Sequence, residues 1–212
     1  MKITVYGATG MIGQRIVNEA LTRGHEVIAV ARRPENLKLE HAKLKKQPGD
    51  IANPDSVAYL AKDSDAIVCS VNAPEGVDPS WFSTVAKSLL EGTSKAGKTP
   101  MYVVGGAGSL HIAPNVQLVD TPNFPEAYKS VALEHRKFLE ILKNSGTTHW
   151  TYLSPAAFIS PGERTGKFRL GLEELVTDSE GNSKISAEDF AVALLDEIES
   201  PKHQGKRFTL AY

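Results

Sequence analysis

Apolar residues in this chain fall into short solid runs separated by longer amphipathic stretches. Ile3 to Tyr6, His25 to Val30, Ala66 to Val71, Met101 to Val104 and His149 to Leu153 read as strands buried on both faces. Weaker strands are expected over Ala42 to Gln47 and Arg207 to Leu210. Between them the apolar period changes to that of a helix. One helix starts at about Met11, with Ile12, Ile16, Val17, Ala20 and Leu21 on one face, and Gly24 ends it. A second starts at Pro54, with Asn53 as its N-cap. A third covers Pro79 to Lys95, with Trp81, Phe82, Val85, Leu89 and Leu90 as a core stripe. A fourth covers Glu126 to Asn144, with Ala127, Val131, Leu133, Phe138, Ile141 and Leu142 inward. The last covers Ala187 to Glu199, capped by Ser186 with Glu188 and Asp189 behind it. Strands alternating with helices predict an α/β fold, a doubly wound parallel sheet with helices on both faces.

The turn after the first strand carries the first chemical signal. Gly7-Ala8-Thr9-Gly10-Met11-Ile12-Gly13 has the G-x-x-G-x-x-G spacing of a dinucleotide-binding turn. Gly7 allows the sharp turn, Gly10 lets a pyrophosphate approach the backbone, and Gly13 lets the helix lie close to the strand. Thr9, Met11 and Ile12 complete the helix N-terminus, whose free N–H groups and partial positive charge suit phosphate. This is the Rossmann pattern.

The second strand ends in Arg32-Arg33 rather than in an acidic residue. A guanidinium fits a 2′-phosphate, so NADP(H) is expected over NAD(H), with Arg32 ahead of Arg33. Asp50 and Ile51, at the turn before Pro54, are expected beside the adenine; for Asp50, turn-capping is an equal reading. Ser70, Val71 and Asn72 end the strand expected next to the first and should line the coenzyme. Gly105 and Gly106 end the fifth strand, where glycine allows a flat ring to approach, and Pro155 and Ala156 end the sixth. Ser109 and Tyr128 are the polar side chains singled out for the chemistry, and Cys69 reads as a small core residue. Pro114 to Pro125 reads as an irregular loop, and Pro161 to Phe168 as a polar loop and hairpin.

With 212 residues and 41% hydrophobic residues, the chain suits one domain over residues 1–212. Residues from about 155 to 212 are expected to form, in part, a small C-terminal lobe on the substrate side. A net charge of −1 argues against a nucleic-acid partner. No apolar run reaches the length of a membrane span, and no basic leader is visible, so a cytoplasmic location is expected. No metal site is expected, and a monomer or homodimer fits equally.

Gly7-Ala8-Thr9-Gly10-x-x-Gly13 resembles the atypical short-chain dehydrogenase/reductases. Val103 to Leu110, Val119 to Pro125, Leu153 to Ala156, Pro161 to Lys167 and Ile185 to Ala191 are similar to the NADH-flavin reductase group, relatives of biliverdin reductase B. The resemblance covers essentially the whole chain. It implies a Rossmann-fold NAD(P)H-binding reductase. One departure bears on mechanism. Alcohol-oxidising members carry Tyr-x-x-x-Lys, whose lysine lowers the tyrosine pKa. Four residues after Tyr6, Tyr59, Tyr102, Tyr128 and Tyr152 stand Gly10, Asp63, Gly106, Ala132 and Ala156. The acid–base pair is absent. A free flavin (FMN or FAD), a quinone or a linear tetrapyrrole can accept hydride without it, by proximity and orientation. The small-molecule reductase reading stands against two others: a non-catalytic NAD(P) sensor of NmrA-like type, and a dehydratase or epimerase using other residues.

Overall fold

A computed structural model describes residues 1–74 and 76–212. The strands are β1 (Lys2–Tyr6), β2 (Glu26–Ala31), β3 (Leu44–Pro48), β4 (Ala66–Cys69), β5 (Met101–Val104), β6 (His111–Ala113), β7 (Val116–Gln117), β8 (Trp150–Ser154), β9 (Phe158–Ser160), β10 (Arg169–Gly171), β11 (Lys184–Ser186) and β12 (Lys206–Ala211). The helices are α1 (Met11–Thr22), α2 (Pro54–Ala61), α3 (Trp81–Lys95), α4 (Glu126–Lys143) and α5 (Ala187–Glu199).

The main sheet has eight strands in the order β10-β12-β8-β5-β4-β1-β2-β3. All neighbours are parallel except β10, which runs antiparallel to β12. Chain order reverses between β1 and β4. In open parallel sheets that switch point opens a crevice at the carboxyl ends of the strands. The alternation expected from sequence explains the layers. Ile3, Val5, Val27 and Ala29 face α1 and α5, while Ile28, Val30, Ile67 and Cys69 face α2, α3 and α4. This is the Rossmann-like α/β arrangement, with helices on both faces.

Local chemistry fixes the helix ends. Gly24 sits at φ 84°, and the His25 N–H reaches the Ala20 carbonyl, closing α1 in a left-handed cap. The Asn53 side chain accepts from the Asp55 and Ser56 N–H groups and starts α2. The Ser186 hydroxyl accepts from the Asp189 N–H and starts α5.

Three expectations need correction. The α4 stripe is displaced: Ala127 and Val131 are exposed, while Ala132, Phe138, Leu139 and Leu142 are buried. The first turns of α4 overhang the sheet, so periodicity there does not report burial. The stretch after Pro114 is not wholly irregular. β6 and β7 form a small hairpin through Pro114 and Asn115, with Asn115 in the left-handed region at φ 59°. Pro161 to Phe168 is not a hairpin either. It links β9, which pairs in parallel with β11, to the edge strand β10. β9 and β11 form a two-stranded sheet separate from the main one. β10, α5 and β12 belong to the main layers.

Candidate functional site

The crevice is built by three strand ends drawn together. Gly7 has φ 78°, and a Cβ on it would lie 1.9 Å from the Ser70 carbonyl oxygen. Only glycine lets the ends of β1 and β4 approach this closely. The Gly7 N–H donates to the Val30 carbonyl (3.1 Å), and the Ser70 N–H donates to the Tyr6 carbonyl (3.0 Å), tying in β2 and β4. Gly13 has the expected packing role: its Cβ would meet the Gly7 oxygen at 2.1 Å. Gly10 differs. Its Cβ would meet only the Gly7 oxygen, at 3.3 Å, and the Ser70 oxygen, at 4.0 Å. The absent side chain there leaves open space instead of an internal contact.

The cavity at this point measures about 180 Å³. Gly7, Thr9, Gly10, Arg32, Asp50, Ile51, Ser70, Val71 and Asn72 all line it. Arg32 is exposed and makes no ion pair or hydrogen bond among the described residues; Arg33 does not line the cavity. Asp50 caps its turn, its carboxylate accepting from the Ala52 N–H at 2.9 Å, and also lines the cavity. Met11 is exposed and Ile12 half-buried at the first turn of α1.

The residues present fit a dinucleotide. α1 begins with no side-chain cap and no acidic residue in its first turn, whereas α2 and α5 have both. An uncapped N-terminus facing an open glycine turn presents N–H donors to an anion. The first turn of α1 would hold the pyrophosphate, and Arg32 and Asp50 the adenosine half. When bound, the coenzyme supplies a hydride from its nicotinamide ring.

The second glycine pair has a packing reason that the sequence alone does not reveal. A Cβ on Gly105 would lie 2.0 Å from Cε1 of Tyr152, and one on Gly106 would lie 3.2 Å from Cβ of His135. The glycines are needed on the protein side, where an aromatic ring and an imidazole fill the space. The Gly106 N–H donates to the Tyr152 hydroxyl (3.3 Å), which donates to the His135 carbonyl (3.0 Å). Phe82 lies against the His135 ring at 4.4 Å between centroids. Burial lowers the His135 pKa to about 4 and raises that of Tyr152. Both are neutral at pH 7. Pro155 and Ala156 are buried at the end of β8.

The two side chains singled out for chemistry are not together. Ser109 is buried, and its hydroxyl and carbonyl accept from Arg207 at 2.8 and 3.0 Å. Arg207 is itself buried and pairs with Glu173. Ser109 therefore holds a buried guanidinium. Tyr128 is 68% exposed on the overhanging end of α4. Neither lines the glycine crevice.

Sequence reasoning missed Trp81 and Pro74, which also line the crevice. Trp81 packs against the core as its apolar stripe implies, and its position at the first residue of α3 also brings it to the rim of the crevice. It also missed Tyr152 and His135 behind Gly105 and Gly106. A larger depression of about 810 Å³ lies along α4, is ringed by charged side chains, and shares no residue with the crevice.

Residues 7–201 match a family model described as NAD(P)H-binding. The chain belongs to this NAD(P)H-binding family. Its relatives include the uncharacterized protein YwnB of Bacillus subtilis (strain 168), 37% identical over 99% of this chain and 98% of that protein. Among solved structures, a "putative epimerase" of Bacteroides thetaiotaomicron is 40% identical with TM-score 0.92, covering 100% of this chain and 96% of that one. A "putative NADH-flavin reductase" of Streptococcus pneumoniae TIGR4 is 33% identical with TM-score 0.87, covering 100% and 99%. A "putative exported protein" of Burkholderia pseudomallei is 45% identical with TM-score 0.89, covering 100% of both chains. The match begins at Gly7 and so covers the whole glycine turn. Among the described residues, no helix is long and apolar enough to cross a membrane.

Proposed function

We propose that the protein is an NADPH-dependent oxidoreductase that reduces a free flavin or a similar flat acceptor. One observation carries the reading: a glycine-turn cavity lined by Arg32, which has no partner among the described residues, stands beside strand ends whose tyrosine is locked away from proton transfer. Tyr152 is buried, its pKa is raised by that burial, and its hydroxyl is engaged by Gly106 and His135. Rate enhancement must then come from holding donor and acceptor in contact and excluding water. Such catalysis suits acceptors that take hydride into a delocalised ring and protons from solvent. Arg32 favours NADPH over NADH through the 2′-phosphate. The Streptococcus pneumoniae relative's designation agrees with this class of reaction. The acceptor is a small molecule. A cytoplasmic setting, where NADPH is held reduced, suits both this activity and the free, buried Cys69.

The test follows NADPH absorbance with FMN, a quinone and biliverdin in turn. Turnover with at least one, faster with NADPH than with NADH, supports the reading. Tight NADPH binding with no turnover on any of them replaces it with a coenzyme sensor.

A further inference from the structure

Tyr152 sits directly behind the strand end expected to meet the nicotinamide. Its ring occupies the space that a side chain at Gly105 would take, with Cε1 2.0 Å from that Cβ position. Its hydroxyl accepts the Gly106 N–H (3.3 Å), gives its proton to the His135 carbonyl (3.0 Å) and lies 3.4 Å from the His135 Nδ1. His135 in turn packs against Gly106 and Phe82. Gly105 is also fixed from the next strand, through its N–H to the Leu153 carbonyl (2.9 Å). Gly105 is buried whereas Gly106 and Ala107 are half-exposed, so the chain surfaces at the bonded peptide. Glycine-rich backbone is intrinsically loose. Here the phenol of Tyr152 is the side chain that hydrogen-bonds the Gly106 N–H.

We propose that Tyr152 is a positioning residue, whose hydroxyl holds the Gly105-Gly106 peptide in the orientation that seats the nicotinamide ring. The inference rests on the reductase reading above and deepens it. Tyr152 touches neither coenzyme nor acceptor. It acts through the peptide in front of it, so its loss is felt by the nicotinamide half of the coenzyme and not by the adenosine half. The adenosine half is gripped by Arg32 and the first glycine turn, on the other side of β4 in the sheet.

The deciding variant is Tyr152→Phe. It keeps the ring that fills the Gly105 space and removes only the hydroxyl. Affinities for NADPH and for 2′,5′-ADP, which lacks the nicotinamide, are measured by calorimetry, and kcat with the best acceptor is measured beside them. The expected result is an unchanged 2′,5′-ADP affinity, an NADPH affinity about three- to tenfold weaker, and kcat about tenfold lower. A merely structural tyrosine would lower Tm and weaken both ligands in parallel, or change nothing; either result overturns the inference. Phe82→Leu, which removes a ring from the same cluster without touching the hydroxyl, is the stability control. It should lower Tm while keeping the ratio of the two affinities. If the wild-type protein binds no NADPH, the reductase reading fails and takes this inference with it. If the wild type binds and turns over and Tyr152→Phe matches it, this inference alone fails.

Discussion

Replacing Arg32 by alanine tests the coenzyme assignment at its sharpest point. Arg32 lines the cavity at the end of β2, is exposed, and has no ionic partner among the described residues. Among the described residues, no pair must break for its guanidinium to reach a 2′-phosphate. A hydrogen bond to a charged group contributes about 1.5–3 kcal/mol, and solvent exposure reduces this to about 1–2 kcal/mol. Arg32→Ala should therefore weaken NADPH by roughly five- to thirtyfold. NADH lacks the phosphate and should change less than about twofold. Binding is followed by tryptophan fluorescence. Trp81 lines the same cavity, and the other tryptophan, Trp150, is buried away from it in β8. The NADPH difference should also shrink with added salt, since an exposed pair is screened. Arg33→Ala, outside the cavity, should leave both coenzymes within about threefold. Equal losses for NADPH and NADH in Arg32→Ala would refute the argument.

The two glycines of the first turn should separate binding from folding. Gly10→Ala should keep the wild-type Tm and weaken NADPH. Gly13→Ala should lower stability by about 1–3 kcal/mol, because its Cβ meets the Gly7 oxygen at 2.1 Å; thermal melts and coenzyme titrations of both variants check the contrast. Ser109→Ala should lose about 1–2 kcal/mol of stability by taking a partner from buried Arg207, with kcat within about twofold. A collapse of kcat would return Ser109 to the chemistry. Acidification should destabilise the fold through His135. Its pKa is lowered to about 4 in the folded chain against 6.5 when free, so the unfolded chain binds the extra proton. The neutral ring's contribution is complete above pH 6.5 and is lost as pH falls toward 4. Urea midpoints at pH 7 and pH 5 should differ more for the wild type than for His135→Gln, by about 1–2 kcal/mol.

The layer plan was legible because strands buried on both faces read as solid apolar runs, and because Asn53-Pro54, Ser186 and Gly24 announce helix ends by local chemistry alone. The geometry of the first glycine turn was legible for the same reason: Gly7 to Gly13 lies within one strand-turn-helix unit. The setting of the second glycine pair was not. Gly105 and Gly106 meet Tyr152 and His135, some 30 to 50 residues away, only once β8 lies beside β5 and α4 packs on the sheet. Ser109 looked reactive because its partner, Arg207, comes from the last strand. Tyr128 looked available because nothing in α4 marks where its apolar face leaves the sheet.

The link between β9 and β10 is exposed along Pro161 to Lys167, yet Gly162, Arg164, Thr165 and Gly166 are each tied to α1 or α5. The Gly162 N–H donates to Glu188, and Arg164 makes two hydrogen bonds to Glu19. The N–H groups of Thr165 and Gly166 both donate to the fully buried Asp189 carboxylate. A gate built this way would have to surrender a handful of charge-assisted bonds at each opening. Amides there should exchange with deuterium slowly, despite their place on the surface. Ligand traffic would then pass through an entrance that stays open, and the pace of product departure would be set by how firmly the crevice holds its guests.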